Sequence, residues 1–249
     1  MISLPTVNLV EVFSSIQGEG LFVGCRQVFV RLAGCNISCS YCDTQESFLA
    51  PSQARIETQP GERIFRHASN PMPVEDVVDA VALLCRSSHH SISITGGEPL
   101  LQPTAIRALS NLRSTQAKIF LETNGTLPEV LKEVIDAVDI ISMDIKLPEV
   151  LAGQNYWFDH ADFLRVAATK EVYVKIVIAG NSLLPEFLCA VDLIASVNQE
   201  IPLILQPVTP VLNTPTPSPN MLLQWQGLAL DKLSTVRVIP QTHKLLGVL

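Results

Sequence analysis

The sequence predicts an α/β fold, an open or partial β/α barrel with about six parallel strands, and three observations predict it. Apolar, β-branched runs recur along the 249 residues and alternate with helix-like segments. The runs are apolar almost throughout, as strands buried on both faces are. About six such units fall short of the eight that close a full barrel.

In order, strands are expected at 27–32, 91–95, 118–122, 139–143, 172–178 and 202–206, with one more candidate at 235–239. Helices are expected between them at 74–85, 103–112, 128–137, 158–168, 185–197 and 220–230. Several of these begin at proline, which the first turn of a helix tolerates. Two stretches break the rhythm. Residues 44–73 are polar, hold Pro51, Pro60, Pro71 and Pro73, and read as an irregular insertion. Residues 209–219 hold four prolines and read as an extended connector.

With 47% apolar and 16% charged residues, the chain can bury a large core, and one domain over residues 1–249 is expected. A formal net charge of −7 argues against a nucleic-acid partner. No window approaches the roughly 18 apolar residues that would span a membrane. The first 17 residues lack a basic start and carry Glu11, so they do not read as a signal peptide. Six cysteines without an export signal fit a reduced, cytoplasmic setting and metal-binding thiols.

In parallel β/α folds, working groups gather on the loops after the strands' C-terminal ends. The unusual residues fall there. Cys35, Cys39 and Cys42 follow the first expected strand, and Thr95-Gly-Gly-Glu-Pro99 follows the second. Glu122-Thr-Asn-Gly125, Asp144-Ile-Lys146 and Gln206-Pro-Val-Thr209 close three others. Five polar loops would thus converge on one rim.

The spacing C-x-x-x-C-x-x-C sets three thiolates on one loop with no evident fourth ligand. A structural zinc site would take four, commonly as two pairs. Cys25, Cys85 and Cys189 lie singly, and the five histidines show no paired spacing. The pattern favours a 4Fe–4S cluster with one iron left open to a small molecule. Cys85 and Cys189 read as small core residues. Thr95–Pro99 alone is no more than a strand-to-helix turn, and Gln-Gly-Glu-Gly at 17–20 alone is a glycine turn. Arg31 stands out, because a guanidinium in an apolar strand needs a partner. A substrate carboxylate is favoured over a structural ion pair.

Together these residues resemble the radical S-adenosylmethionine (SAM) superfamily. The loop Phe13–Gly20, Cys-Asp-Thr at 42–44 and the ending Gln241-Thr-His-Lys-Leu245 are similar to the 7-carboxy-7-deazaguanine synthase family in particular. That resemblance implies a radical SAM fold and a lyase of queuosine-precursor biosynthesis. It would convert 6-carboxy-5,6,7,8-tetrahydropterin to 7-carboxy-7-deazaguanine with release of ammonia. Cys35, Cys39 and Cys42 would hold a 4Fe–4S cluster, which reduces SAM to methionine and a 5′-deoxyadenosyl radical. Tyr41, Asp43, Gly97, Glu98, Asp144, Ile145, Lys146, Gln206, Pro207, Val208 and Thr209 would hold SAM. Ile16, Gln17, Gly18, Arg31, Thr95 and Glu122 would hold the pterin. Thr44 would ligate Mg²⁺, a hard cation that keeps several waters. The resemblance further implies an electron donor such as flavodoxin or ferredoxin, and a homodimer. The rival readings are another radical SAM enzyme, such as a glycyl-radical activase, and a zinc-stabilised interaction domain.

Overall fold

The structure, a computed structural model, describes residues 5–115, 117–210 and 214–249. A short strand β1 (Thr6–Val7) leads into β2 (Leu9–Ile16) and β3 (Arg26–Leu32). Strands β4 (Gln53–Glu57) and β5 (Phe65–Ser69) follow, and β6 (Met72–Pro73) pairs back with β1. Regular alternation then sets in. It runs α1 (Val74–Leu84), β7 (Ser91–Gly96), α2 (Pro103–Leu109), β8 (Lys118–Thr123), α3 (Pro128–Val134), β9 (Ile140–Asp144), α4 (Trp157–Ala167) and β10 (Glu171–Ile178). After these come α5 (Leu184–Val197), β11 (Leu203–Pro207), α6 (Pro219–Leu230), β12 (Val236–Val238) and α7 (Thr242–Leu246).

One ten-stranded sheet runs in the order β12-β11-β10-β9-β8-β7-β3-β2-β4-β5. The run from β12 to β3 is parallel throughout, seven strands in all. All six expected strands are there, and the candidate at 235–239 is the seventh, as β12. Among the described residues no pairing joins β12 to β5, so the sheet stays open.

Two expectations need correction, the insertion and the reading of Cys189 as a core residue, since Cys189 lies exposed on α5, and one strand is unexpected. The insertion at 44–73 is not irregular through its length: β4 and β5 pair antiparallel as a hairpin that extends the sheet beyond β2. Its prolines punctuate it rather than disrupt it, since Pro51, Pro60 and Pro71 all fall outside the strands. Ala54 and Ile56 supply the buried side of β4. The segment before the first expected strand is itself a strand, β2, paired antiparallel with β3. Its Glu11, which had marked the segment as no signal peptide, meets Arg31 of β3 at 3.0 Å. Of the connector at 209–219, residues 211–213 lie outside the described ones. Among the described residues, no helix is long and apolar enough to cross a membrane.

Side-chain alternation gives the sheet two working faces. Ile92, Ile94, Ile119, Leu121, Ile141, Met143, Val174, Ile176, Leu203 and Leu205 are buried in the main core, which the helices cover. The opposite face is floored by Phe120, Ile140, Tyr173 and Ile204. Two residues further along the same strands, that face turns polar: Glu122, Ser142, Lys175 and Gln206. The floor excludes water from below, and the polar layer above it begins the site.

Candidate active site

A cavity of about 230 Å³ opens over that polar layer, at the C-terminal ends of the parallel strands. Its wall holds all the expected site residues except Glu98, Ile145 and Pro207. The five polar loops do converge.

The cysteine loop lies on the wall through Cys35, Cys39 and Cys42. It is pinned by backbone bonds from Ser40 N to Val150 O, 3.0 Å, and from Gly34 N to Ser47 O, 2.7 Å. Ile37, Tyr41, Val150, Leu151, Val177 and Val208 form an apolar cluster against which Cys35 and Cys39 pack. Burial pushes both thiols up, Cys39 to about 11. Bare thiolates are thus disfavoured here, and a cationic ligand would supply the compensation they lack. Among the described residues, no three His, Cys, Asp or Glu side chains converge on a single ion. A multi-iron cluster, spread between three thiols, suits the donor set better than zinc.

Gly96 and Gly97 bring backbone close to this loop. A Cβ on Gly97 would stand 2.3 Å from Gly34 O and 2.7 Å from Cys35 Cβ. Gly96 has φ +142°, and a Cβ there would stand 2.0 Å from Leu32 O. Glu98 turns away from the cavity and is wholly buried. Its carboxyl accepts from Leu100 N, Asn124 N and Thr123 Oγ1 at 2.8–3.0 Å. Burial raises it to about 7, against the pull of those bonds. Asn124 Nδ2 in turn donates to Asn36 Oδ1 at 2.9 Å, beside Cys35. Glu98 therefore braces the loop from behind instead of presenting its carboxylate to a ligand.

Asp144 and Lys146 pair at 2.7 Å, with Lys146 Nζ 5.4 Å from the centre of the Tyr41 ring. Ile145 between them points the other way, into the core, as strand alternation requires. Pro207 is likewise off the wall, while Gln206, Val208 and Thr209 are on it. Among the described residues, Asp144 Oδ1 and Gln206 Oε1 are buried without a hydrogen-bond partner. Such acceptors call for donors. The ammonium and hydroxyls of SAM are donors of that kind, so the residues present fit the cofactor.

On the far side, Gln17 Nε2 donates to Gln27 Oε1 and Glu122 Oε1, each at 3.0 Å. Glu122 also accepts from Ser93 Oγ at 2.7 Å. Arg31 lines the cavity, yet its Nε is ion-paired with Glu11. The structural ion pair is therefore present, and the guanidinium also lies 5.9 Å from the centre of the Phe13 ring; among the described residues its terminal nitrogens make no hydrogen bond or ion pair. Ile16, Gly18 and Thr95 line the same side, and Thr44 sits with its Oγ1 3.9 Å from Cys42 Sγ.

Several wall residues were not singled out by the sequence reading. Lys175 of β10 is one, though a lone charge in an apolar strand had flagged Arg31 by the same logic. Glu19, Gln241, His243 and Lys244 are others. The last three stood in the ending motif without a site role.

A profile of the Radical SAM superfamily matches residues 30–179. A 7-carboxy-7-deazaguanine synthase from Geobacter sulfurreducens is 44% identical over 248 residues, covering 98% of this chain and 99% of that protein. One from Methanothermobacter thermautotrophicus is 35% identical, covering 98% of each. In fold, the crystal structure of QueE from Escherichia coli matches with a TM-score of 0.62 at 18% identity, covering 96% of this chain and 95% of that one. Cysteine spacing, strand-end rim and full-length similarity agree: the chain belongs to the radical SAM superfamily and, within it, to the 7-carboxy-7-deazaguanine synthase family.

Proposed function

We propose that this chain, acting as one domain, converts 6-carboxy-5,6,7,8-tetrahydropterin to 7-carboxy-7-deazaguanine with loss of ammonia. The observation that carries this reading is a single cavity with cysteines on one wall and Gln17, Arg31 and Glu122 on another. Full-length similarity to curated synthases of that name supports it.

When bound, the 4Fe–4S cluster and SAM supply one-electron chemistry that ends in hydrogen abstraction from the substrate. The protein's own residues bind, orient and exclude water. Cys35, Cys39 and Cys42 hold the cluster, and the main chain at Gly96–Gly97 admits SAM beside it. Asp144 Oδ1 and Gln206 Oε1 receive SAM's donors, with Lys146, Tyr41, Val208 and Thr209 closing that half. Arg31 offers its free terminal nitrogens to the pterin carboxylate, aimed by Glu11. Glu122 and Gln17 face the pterin's polar edge, with Thr95, Ile16 and Gly18 beside them. Thr44, with its Oγ1 3.9 Å from the Sγ of the last cysteine, would be the protein ligand for Mg²⁺.

Six free cysteines suit the cytosol, and a flavodoxin or ferredoxin would deliver the electron. A homodimer and a small-molecule substrate, with no nucleic acid, complete the proposal.

The test mixes reduced protein with SAM, Mg²⁺ and the carboxypterin and looks for the deazaguanine and ammonia. SAM cleavage without that product would remove the substrate assignment and keep the superfamily. Anaerobically purified protein that contains zinc and no iron would remove both.

A further inference from the structure

We propose that Lys175 is a positioning residue through which the SAM half and the substrate half of the cavity bind cooperatively. This rests on the function proposed above and adds a residue and a property to it.

Lys175 sits at the centre of the polar layer on β10, with its side chain only 10% exposed. Its Nζ donates to Glu19 Oε2, from the loop that follows β2. The same nitrogen stands 3.4 Å from Asp144 Oδ2, at the end of β9. Asp144 Oδ2 also accepts from Lys146. Glu19 Oε1 accepts from Gln241 Nε2 at 2.7 Å, and Gln241 Oε1 accepts from Thr209 Oγ1 at 2.6 Å. One chain of contacts therefore runs Lys146–Asp144–Lys175–Glu19–Gln241–Thr209, leaving the SAM half at Asp144, passing Glu19 on the pterin side and returning at Thr209. Lys175 is its charged link between the two halves.

One ammonium between two half-buried carboxylates serves as more than a core ion pair. Glu19 belongs to the loop carrying Gln17 and Gly18, the proposed pterin side. Asp144 belongs to the proposed SAM side, and its Oδ1 is buried and has no hydrogen-bond partner among the described residues. A pterin seated against the Gln17–Glu19 loop fixes Glu19, and through the shared ammonium it fixes Asp144. SAM then meets an Asp144 already ordered, so the second ligand loses less conformational freedom than the first. Linkage makes the effect reciprocal. Burial opposes charge on Lys175, but Glu19 and then Asp144 outweigh it and keep the ammonium protonated.

The test uses cluster-loaded protein left unreduced, so that nothing turns over, with affinities read by calorimetry. The SAM dissociation constant is measured with and without saturating carboxypterin, and the reverse titration checks reciprocity. Wild-type protein is expected to bind SAM about fivefold or more tightly when the pterin is present. Lys175→Met should bring that ratio to within about twofold of one, and Lys175→Arg should keep most of it. A link with a merely structural role would weaken both ligands and leave the ratio unchanged, and that result would overturn the proposal. A wild-type ratio of one would overturn it too. If Lys175→Met fails to hold iron or to fold, Glu19→Gln cuts the same link from the other side. It is expected to lose the ratio likewise, and an unchanged ratio there overturns the proposal. Wild-type protein that binds SAM and never the carboxypterin would defeat the substrate reading first, and this inference with it.

Discussion

Asp43 and Gln241, 198 residues apart in the chain, meet through a 2.9 Å hydrogen bond from Gln241 Nε2. Lys244 Nζ reaches the same carboxylate oxygen at 3.0 Å. Burial works against the Asp43 charge, but the bonds from Gln241 and Lys244 outweigh it and hold the carboxyl down at about 2. The cysteine loop and the C-terminal helix are thereby tied across the mouth of the cavity. Thr242 reinforces the tie, its N and Oγ1 both donating to Gly18 O. A Cβ on Gly18 would fall 2.3 Å from His243 Nδ1, so the Gly18 loop and α7 are in direct contact.

Gln241→Ala is expected to destabilise the fold by about 1–3 kcal/mol, because it leaves Asp43, Glu19 and Thr209 without a shared partner. For a chain of this length that is a fall in Tm of roughly 2–4 °C per kcal/mol. Thermal unfolding checks the magnitude. Limited proteolysis should at the same time cut first at α7, and a tail that resists cleavage as well as wild type would contradict the tie.

Gly97→Ala tests the approach of backbone to the cysteine loop. With Gly34 O at 2.3 Å from the new methyl, backbone must move on one side or the other. The expected outcome is loss of SAM affinity by at least about tenfold, with the iron content lowered. Both are read on anaerobically reconstituted protein. Gly153→Ala is a control for a new methyl, since a Cβ there meets nothing within 4 Å. Its φ of +87° adds local strain but places no atom near the cavity, so SAM affinity should persist.

Arg31→Ala is expected to weaken carboxypterin binding by about 2–5 kcal/mol while leaving SAM affinity nearly intact. Glu11→Gln removes the partner that aims the guanidinium and should weaken the pterin by less. Equal losses for both ligands in either variant would mark Arg31 as a structural ion pair alone. Calorimetry on unreduced protein separates the outcomes.

The parallel strands were legible because each is an apolar run bounded by polar turns, and a strand buried on both faces has no other pattern. The hairpin β4–β5 was not, since Arg55, Arg66 and His67 face solvent at the sheet's edge and only Ala54 and Ile56 mark its buried side. Within the site, motifs located stretches but not the residues that turn inward. Period-two alternation would have sorted Asp144 and Lys146 from Ile145, and it was there to be used. Lys175 is visible as the lone charge in the apolar run 172–178. Its partner Glu19 lies 156 residues away, and no local pattern specifies that meeting. The cysteines needed no partner to be recognised, because their spacing is the signal.

Glu149 is expected to make the stability of the fold depend on pH. Its N–H donates to Glu186 Oε2 at 3.1 Å, and among the described residues both its carboxyl oxygens are buried without a hydrogen-bond partner. The next residue, Val150, accepts through its carbonyl from Ser40 N in the cysteine loop. Burial, then the neighbouring Glu186 carboxyl, raises Glu149 from 4.5 to about 7. The folded state therefore holds this proton more tightly than the unfolded chain does. Its stabilisation is whole below pH 4.5 and is lost as pH rises through about 7. Glu149→Gln keeps the shape and removes the charge, so its Tm should exceed that of wild type by about 2–4 °C well above pH 7. Below pH 4.5 the two curves should converge. Unfolding scans across that interval decide it: an offset that stays constant with pH would mean that the Glu149 proton is not what the fold responds to.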